Sequence, residues 1–325
     1  MARPSNPQRQ SVGKLSDDTT SPVLQNSSGL EHTQYPNRWV RFRKEYVRDA
    51  ASEFLGTMML VLFGSSSGCQ VVLSSFTAVA SSPKGDTLTV PFGYAVGISL
   101  GIWVASGSGG HINPAVTLAM AVFRGFPWKK VPVYWLAQTA GGCFGALVAY
   151  SNYMHAISIV DPDKTRLTAS IFAGYALDYL PAAACFFSEF LGTALLVMTL
   201  LAALDKYSGA PPAGLVPLVF FILFLGEGMA LGMETAFALN PARDFGPRIA
   251  LSMLGYSRHV VWNYRSQYWL WTGILAPLSG GVVGALVYDV FLYIGSDSIV
   301  NKPTQGARQY IPSERSQPAP STEAV

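Results

Sequence analysis

The stretches GHINPAVT, at residues 110–117, and ALNPARDFGPR, at residues 238–248, carry the same Asn-Pro-Ala triplet in a chain made largely of apolar runs. Asparagine is a strong N-terminal cap of α-helices, and proline is favoured at the first helical position. We therefore expect each triplet to begin a short helix. The two triplets are Asn113-Pro114-Ala115 and Asn240-Pro241-Ala242.

Composition indicates that the chain crosses a membrane. Hydrophobic residues make up 50% of the 325 residues and charged residues 13%, whereas charged residues make up about 25% of a typical soluble domain. A window of about 20 apolar residues can span a bilayer. Six such windows predict an all-α integral membrane protein with six transmembrane helices. They lie at about residues 50–73, 88–107, 131–153, 182–204, 213–232 and 268–294.

The segments that begin at the two triplets, residues 113–123 and 240–251, are apolar but too short to cross. Such helices are tolerated inside a membrane where protein buries them or water lines them. One segment alone would fit an interfacial helix equally well. Two segments with the same cap favour re-entrant half-helices.

An internal repeat relates the two triplets. The sequence SEFLGT at residues 52–57 recurs identically at residues 188–193, and each copy opens a unit of three spans and one triplet. Because three is an odd number, the second unit enters the membrane upside down, and the half-helices dip in from opposite faces to meet near the midplane. Inverted repeats of this kind occur in transporters. We place the first half-repeat at residues 48–178 and the second at residues 179–295.

Charge and composition predict where the chain ends lie. A basic segment with Arg43, Lys44 and Arg48 precedes the first span, and the positive-inside rule makes it cytosolic. An even number of spans returns the C-terminus to the same side. The tails at residues 1–47 and 296–325 are poor in apolar residues, which predicts disorder outside the basic juxtamembrane segment.

Two facing helix N-termini have an electrostatic consequence. Each presents a partial positive charge and unpaired N–H groups, which repel cations and protons but affect neutral solutes much less. We expect the amides of Asn113 and Asn240 to donate to such a solute, and the carbonyls of residues 109–112 and 235–239 to accept. This favours a channel. The alternatives are a proton-coupled carrier, for which the spans lack a continuous chain of titratable groups, and a structural membrane protein without transport.

Two carboxylates lie inside the predicted spans. A carboxylate in a span is costly, and its default interpretation is functional. Glu53 and Glu189 occupy matching positions of the repeat, which favours a role in accepting hydrogen bonds from the re-entrant loops. A proton relay is the alternative.

The motifs SEFLGT, SGGHINPAVT and ALNPARDFGPR resemble those of the aquaporins, the major intrinsic protein family, across roughly residues 48–295. The resemblance implies six spans with two half-helices and a pore in each subunit of a homotetramer. It also implies a location in the lipid bilayer of the plasma membrane, with no enzymatic activity, cofactor, metal or nucleic-acid partner. His111 would hold the first loop by hydrogen bonds, rather than act as a pH sensor.

The resemblance further implies a constriction lined by four positions. Arg243 follows the second triplet, and Phe237 precedes it by three residues. Gly228, 12 residues before that triplet, stands where water-selective members carry a histidine. The fourth position, in the second span, is assigned to Phe92 by its Phe-Gly signature. Gly93 competes for it, because Phe92 lies one residue farther from the first triplet than is usual.

These residues predict a channel for glycerol and water. Arg243 would donate hydrogen bonds to hydroxyl groups, while Phe92 and Phe237 would form an apolar wall. Gly228 would leave room for a polyol. The alternative is a water-selective aquaporin. Four further residues resemble the glycerol-conducting branch, two of which are spaced to form a structural ion pair: Asp244, Arg248, Gly273 and Ile274.

Two acidic residues depart from the family pattern. Glu227 and Glu234 flank the predicted constriction. Our hypothesis is that one of them pairs with Arg243 or with the loop backbone, and thereby alters or gates selectivity.

Overall fold

The computed structural model describes residues 37–302, except for the side chains of Glu45 and Tyr46. The remainder of the two predicted tails, residues 1–36 and 303–325, lies outside the described residues. Contacts divide the chain into two units, one ending at Arg41 and one starting at Phe42. The second unit contains every predicted span.

The described residues form helices and no strands. Their α-helices, in chain order, are α1 (Arg38–Phe42), α2 (Arg48–Ser74), α3 (Thr89–Val104), α4 (Pro114–Phe123), α5 (Val131–Val160), α6 (Arg166–Ala169), α7 (Ala182–Leu204), α8 (Val216–Thr235), α9 (Pro241–Met253), α10 (Arg258–Val261), α11 (Tyr268–Leu270) and α12 (Ala276–Phe291). Short π-helical turns lie at Arg43–Val47 and Trp271–Leu275, and 3₁₀ turns at Ala105–Ser108, Trp128–Lys130 and Ala213–Leu215.

Five helical stretches in the described part are long and apolar enough to cross a membrane: Arg48–Ser74, Trp128–Val160, Ala182–Leu204, Ala213–Thr235 and Tyr268–Phe291. The predicted second span is shorter than expected. Helix α3 has only 16 residues, because the chain tightens into a 3₁₀ turn at Ala105–Ser108 and then turns left-handed at Gly109. The two triplet segments form the short helices α4 and α9, as expected.

The packing follows the repeat. Helix α2 packs against α3 and α5, and helix α7 packs against α8 and α12. Each half-helix crosses to the other half, since α4 packs against α12 and α9 against α5. Helices α3 and α8 close the bundle between the halves. The two half-helices therefore lie inside the bundle and not on its surface.

Equivalent glycines permit a close helix crossing in each half. A Cβ atom on Gly141 of α5 would lie 2.2 Å from the carbonyl oxygen of Phe54, and one on Gly280 of α12 would lie 2.2 Å from that of Phe190. Phe54 and Phe190 are the phenylalanines of the two SEFLGT copies. Since no real side chain tolerates such contacts, both crossings require glycine.

Both predicted tails are partly ordered. The basic juxtamembrane segment is helical at Arg38–Phe42 and at Arg43–Val47. At the other end, the buried Ser298 hydroxyl donates to the Asp289 carboxylate, and Asn301 Nδ2 donates to the Tyr293 carbonyl. These hydrogen bonds hold residues 296–302 against the end of α12, where the sequence predicted disorder from residue 296 onward.

Candidate functional site

The two triplets cap their half-helices in the same way. Asn113 is extended at φ −154°, and its side-chain oxygen accepts from the Ala115 N–H at 2.8 Å. Asn240 is extended at φ −151°, and its oxygen accepts from the N–H groups of Ala242 and Arg243 at 2.9 and 3.2 Å. Proline is the first helical residue in both cases. The side-chain oxygen of each asparagine therefore accepts from its own helix, and the amide N–H groups can donate to other partners.

Those amides tie the two halves together. Asn113 Nδ2 donates to the Leu239 carbonyl at 3.0 Å, and Asn240 Nδ2 donates to the Ile112 carbonyl at 2.8 Å. The two helix starts thus face each other across a reciprocal pair of hydrogen bonds. An amide nitrogen carries two N–H groups, so each asparagine retains one further donor.

The loops that lead into the triplets are held in an unusual backbone conformation. Ile112 and Leu239, at equivalent positions, have φ angles of 40° and 52°. Ala236 and Phe237 also lie in the left-handed region, at 64° and 38°. Such residues cost about 1–3 kcal/mol each and persist where the surroundings impose them. The second loop carries more of this strain than the first.

Glu53 imposes the conformation of the first loop. Its Oε1 accepts from His111 N at 3.0 Å and from the Ser108 hydroxyl at 2.6 Å. Its Oε2 accepts from Ile112 N at 2.7 Å and from Gln138 Nε2 at 2.7 Å. The carboxylate is fully buried and receives four hydrogen bonds, which leaves it placed as a loop anchor.

Glu189 holds the second loop, with a side-chain hydrogen bond from Thr235 beside it. Its Oε1 accepts from Ala238 N at 3.0 Å and its Oε2 from Leu239 N at 2.7 Å. These two N–H groups are the equivalents of His111 and Ile112 in the first half. The same glutamate therefore performs the same backbone task in each half.

His111 is placed as a structural residue. Its Nδ1 lies 3.2 Å from the Thr117 hydroxyl, and its ring packs against the rings of Phe126 and Tyr134 at centroid distances of 4.7 and 5.2 Å. The backbone N–H of His111 donates a hydrogen bond to Glu53 Oε1. The side chain thus fills the space behind the first loop.

A cavity of about 290 Å³ leads to the facing triplets. Its lining includes Asn113, Asn240 and the loop residues 109–112. The remaining wall is apolar and comes from helices α3, α4, α7 and α8: Ile98, Ile102, Val116, Met120, Leu196, Leu200, Leu204, Val216 and Phe220. One polar edge opposite an apolar wall suits a solute with a hydroxyl edge and a carbon edge.

Arg243 is buried beside two aromatic rings. It is 3% exposed, and its Nη2 donates to the Ala236 carbonyl at 3.3 Å. Its guanidinium lies 4.5 Å from the centroid of the Tyr94 ring and 6.0 Å from that of Phe237. Its Nε and Nη1 are buried and have no hydrogen-bond partner among the described residues.

The structure does not bring Phe92 to this place. Its side chain is 49% exposed and packs against Phe221 on the outside of the bundle. The adjacent Gly93 faces Ser67 of α2. Tyr94 stands beside Arg243 instead, with its ring 5.6 Å from that of Phe237. Both sequence candidates for the fourth position are thus displaced by Tyr94.

The reason for this displacement is the length of the connecting loop. Tyr94 lies 19 residues before the first triplet, one residue fewer than the spacing the assignment assumed, whereas Phe92 lies 21 residues before it. Two residues turn a side chain by about 200° around a helix. The Phe-Gly signature therefore selected a residue on the outer face of α3. The spacing alone did not show whether the loop before Asn113 was one residue longer or one residue shorter than usual.

Gly228 is used for packing and does not leave an open space. A Cβ atom there would lie 2.6 Å from Cβ of Pro91 and 3.1 Å from the Phe237 ring. The ring also covers Gly232, where a Cβ would lie 2.8 Å from it. A histidine at 228 would therefore displace Phe237 from its position beside Arg243.

Three of the residues that resemble the glycerol-conducting branch form one buried unit. Arg248 Nε donates to Asp244 Oδ2 at 2.8 Å, and both side chains are buried. Asp244 Oδ1 also accepts from Gly174 N at 2.7 Å. A Cβ on Gly273 would lie 2.4 Å from Asp244 Oδ2, so glycine makes room for the carboxylate. Ile274 lies apart from this unit, on an outward-opening groove.

Neither acidic residue near the constriction pairs with Arg243. Glu234 accepts from the Tyr179 hydroxyl at 3.1 Å. Glu227 is 5% exposed, and neither of its carboxylate oxygens has a hydrogen-bond partner among the described residues. The hypothesis that either residue pairs with Arg243 is wrong.

Gln138 is a site residue that sequence reasoning missed. Its Nε2 donates to Glu53 Oε2 at 2.7 Å and to the Thr117 hydroxyl at 3.0 Å. It braces the anchor of the first loop from α5. A lone glutamine in an apolar span was the available signal, since a buried amide must find partners.

Comparisons with known proteins agree with this geometry. The family model described as Major intrinsic protein matches residues 41–288. The chain belongs to the major intrinsic protein family. Members of this family are membrane channels and not enzymes, and they pass water and small solutes. The aquaporin fold and the multi-pass membrane location predicted from the sequence are confirmed.

Relatives within the family carry different descriptions. Aquaporin-7-1 of Laccaria bicolor is 48% identical over 302 residues, which are 90% of this chain and 91% of that protein. The aquaglycerol porin AQY3 of Saccharomyces cerevisiae is 40% identical over 276 residues, 84% of this chain and 42% of that protein. The X-ray structure of the aquaglyceroporin from Plasmodium falciparum has a TM-score of 0.67 at 28% identity, and the match covers 76% of this chain and 96% of that one.

Proposed function

We propose that this family member conducts glycerol as well as water by facilitated diffusion, and excludes ions and protons. The observation that carries the proposal is the unused donor pair of Arg243, Nε and Nη1, beside the rings of Tyr94 and Phe237. Two adjacent N–H groups match two hydroxyl groups, and aromatic faces match a carbon backbone. A polyol presents both features on opposite edges.

The exclusion of charge follows from the facing half-helices. The N-termini of α4 and α9 each contribute a partial positive charge at the same level of the pore. A cation would also lose its hydration shell against the apolar wall of the cavity, with only one polar edge to replace it. Neutral solutes are not repelled by the helix N-termini and have no ionic hydration shell to lose.

A proton-coupled carrier is disfavoured by the same geometry. The oxygens of Glu53 and Glu189 accept from loop N–H groups, so both carboxylates are engaged in holding backbone. A relay would need titratable groups that connect one to the other through the midplane, where Asn113 and Asn240 contact the loops instead.

The experiment is stopped-flow light scattering on vesicles that contain the purified protein. A glycerol gradient should cause fast shrinkage as water leaves, followed by reswelling as glycerol enters. Reswelling at the rate of protein-free vesicles, with fast shrinkage, would identify the water-selective alternative. Gly228→His is the matched variant, because it displaces Phe237 and should slow reswelling more than shrinkage.

We also propose a homotetramer in the plasma membrane with both chain ends in the cytosol. The exposed basic side chains of Arg43, Arg48 and Lys129 lie at the ends of α2 and α5, which supports a cytosolic position for that side. The tetramer rests on the family resemblance. Protease protection of a tagged C-terminus in sealed cells tests the orientation, and native mass spectrometry of the purified protein tests the subunit number.

A further inference from the structure

An apolar groove of about 440 Å³ opens on the outside of the bundle between α5 and α12. Pro114 and Pro241, the first residues of the two half-helices, form part of its lining, and Trp135 and Phe245 contribute aromatic walls. The Trp135 indole N–H donates to the Pro114 carbonyl at 3.2 Å. Apart from that engaged group, the only polar side chain in the lining is Thr139.

The groove lies at the level where the two half-helices begin, since Pro114 and Pro241 line it. Thr139 is 11 residues after Trp128, where its spanning stretch begins, and Leu278 is 10 residues after Tyr268, where the last stretch begins. At a rise of 1.5 Å per residue these positions are about 16 and 15 Å along helices that enter from opposite faces. The hydrocarbon core of a bilayer is about 30 Å thick, so a groove this far from both helix starts opens toward the acyl chains and not toward the headgroups.

The depth and chemistry of the groove select its occupant. A water molecule needs two to four polar partners, and the lining offers the Thr139 hydroxyl alone. An empty groove would forfeit the dispersion contacts of its walls. The groove is continuous with the lipid-facing surface of α5, where Leu136 is 73% exposed. Hydrocarbon is therefore the material that reaches and fills it.

We propose that the acyl chain of a membrane phospholipid occupies this groove, as a defined site rather than as general boundary lipid. The end of the chain packs against the rings of Pro114 and Pro241, on the opposite side from the asparagine caps. Lipid thereby contacts the first residue of both half-helices.

The test is photolabelling in vesicles with a phosphatidylcholine that carries a diazirine at the end of one acyl chain. Labelled peptides are mapped by mass spectrometry for wild type, for Leu278→Trp, which fills the groove, and for Leu286→Trp. Leu286 lies on the same helix, is 42% exposed and is absent from the groove lining. We expect labelling of the peptides with Trp135 and Phe245 to fall at least threefold in Leu278→Trp only.

Two results would overturn the proposal. Equal labelling of these peptides in all three proteins would show ordinary boundary lipid, and cross-links between subunits at Leu136 would show that a second copy of the chain covers the groove. A diazirine placed near the carboxyl end of the acyl chain should label these peptides at least threefold less, given the depth of the groove. If Leu278→Trp fails to fold, Thr139→Phe fills the groove from α5 and serves in its place.

Discussion

The two re-entrant loops share one backbone anchor but differ in how side chains support it. Glu53 receives two loop N–H groups and two side-chain donors, from Ser108 and Gln138. Glu189 receives the equivalent loop N–H groups, those of Ala238 and Leu239. The anchor is thus common to both halves; Glu189 has a side-chain partner in Thr235, whereas the buried amide of Gln138 supports Glu53 only.

Equivalent positions explain the difference. Gln138 lies three residues before Gly141, and the position three residues before Gly280 is Pro277, which cannot donate. Thr117, four residues after Asn113, helps to brace the first anchor, whereas its counterpart Asp244 turns to Arg248. Both halves therefore keep the hydrogen bonds between a buried glutamate and two loop N–H groups. The side chains around them differ: Thr117 bonds to Gln138 in the first half, and Asp244 bonds to Arg248 in the second.

The largest effect should come from Glu189→Gln. One loop N–H would lose its acceptor and face an amide NH₂, at a cost of about 1–3 kcal/mol, in the loop with the greater backbone strain. We expect at least a tenfold loss of glycerol and water flux in vesicles. Both fluxes should fall together, because the change moves the loop and not one solute contact.

Glu53→Gln is the matched variant and should be milder. The Gln138 Oε1 has no partner, so this amide can turn and accept from the new NH₂ group. Flux should fall less than threefold. Equal damage in the two variants would contradict the idea that the halves differ in bracing, and uptake driven by a pH gradient and lost only in Glu189→Gln would support the proton-relay alternative.

The constriction provides a second matched pair, on one helix. Tyr94→Ala removes a ring that contacts Arg243, and should change the ratio of glycerol to water permeability at least threefold. Phe92→Ala removes a ring from the outer surface and should leave the ratio within experimental error. The measurement is stopped-flow scattering on both variants. If Phe92→Ala alone changed the ratio, the assignment of the constriction to Tyr94 would be refuted.

Glu227 tests whether the second half needs its additional carboxyl group. It lies in α8 and is 5% exposed, and its carboxylate oxygens have no hydrogen-bond partner among the described residues. Glu227→Leu removes this buried polar group and should stabilise the protein by about 1–3 kcal/mol. The readout is the thermal unfolding midpoint in detergent. A folded variant without transport would instead assign Glu227 to the pore.

The smallest effect should come from the connection between the halves. The Arg166 guanidinium donates to Asp178 at 2.8 Å and lowers the pKa of this exposed carboxyl group. The pair therefore contributes above the ordinary pKa of aspartate, and its contribution is lost as the pH falls through the lowered value. Asp178→Asn should lower the unfolding midpoint slightly at neutral pH, and the difference should vanish in acid. A large effect would show that the connection, and not the anchors, holds the halves together.

The sequence was most informative where a feature is local or repeated. The caps, the half-helices and the two anchoring glutamates follow from short motifs whose chemistry needs no distant partner. The register of α3 does not follow from such a motif. The loop after α3 is one residue shorter than usual, so Tyr94, and not Phe92, lies beside Arg243. The roles of Gly228 and Gly273 also depend on contacts with Pro91 and Asp244, which no local pattern encodes.

The most direct test of the central claim combines glycerol entry with proton flux in the same vesicles. Wild-type vesicles loaded with a pH-sensitive dye are exposed to a glycerol gradient, with and without a pH gradient. A pore between two facing half-helices predicts reswelling that is much faster than in protein-free vesicles, the same in both conditions, with the pH gradient intact. Reswelling that requires the pH gradient, or a gradient that collapses as glycerol enters, would contradict the account.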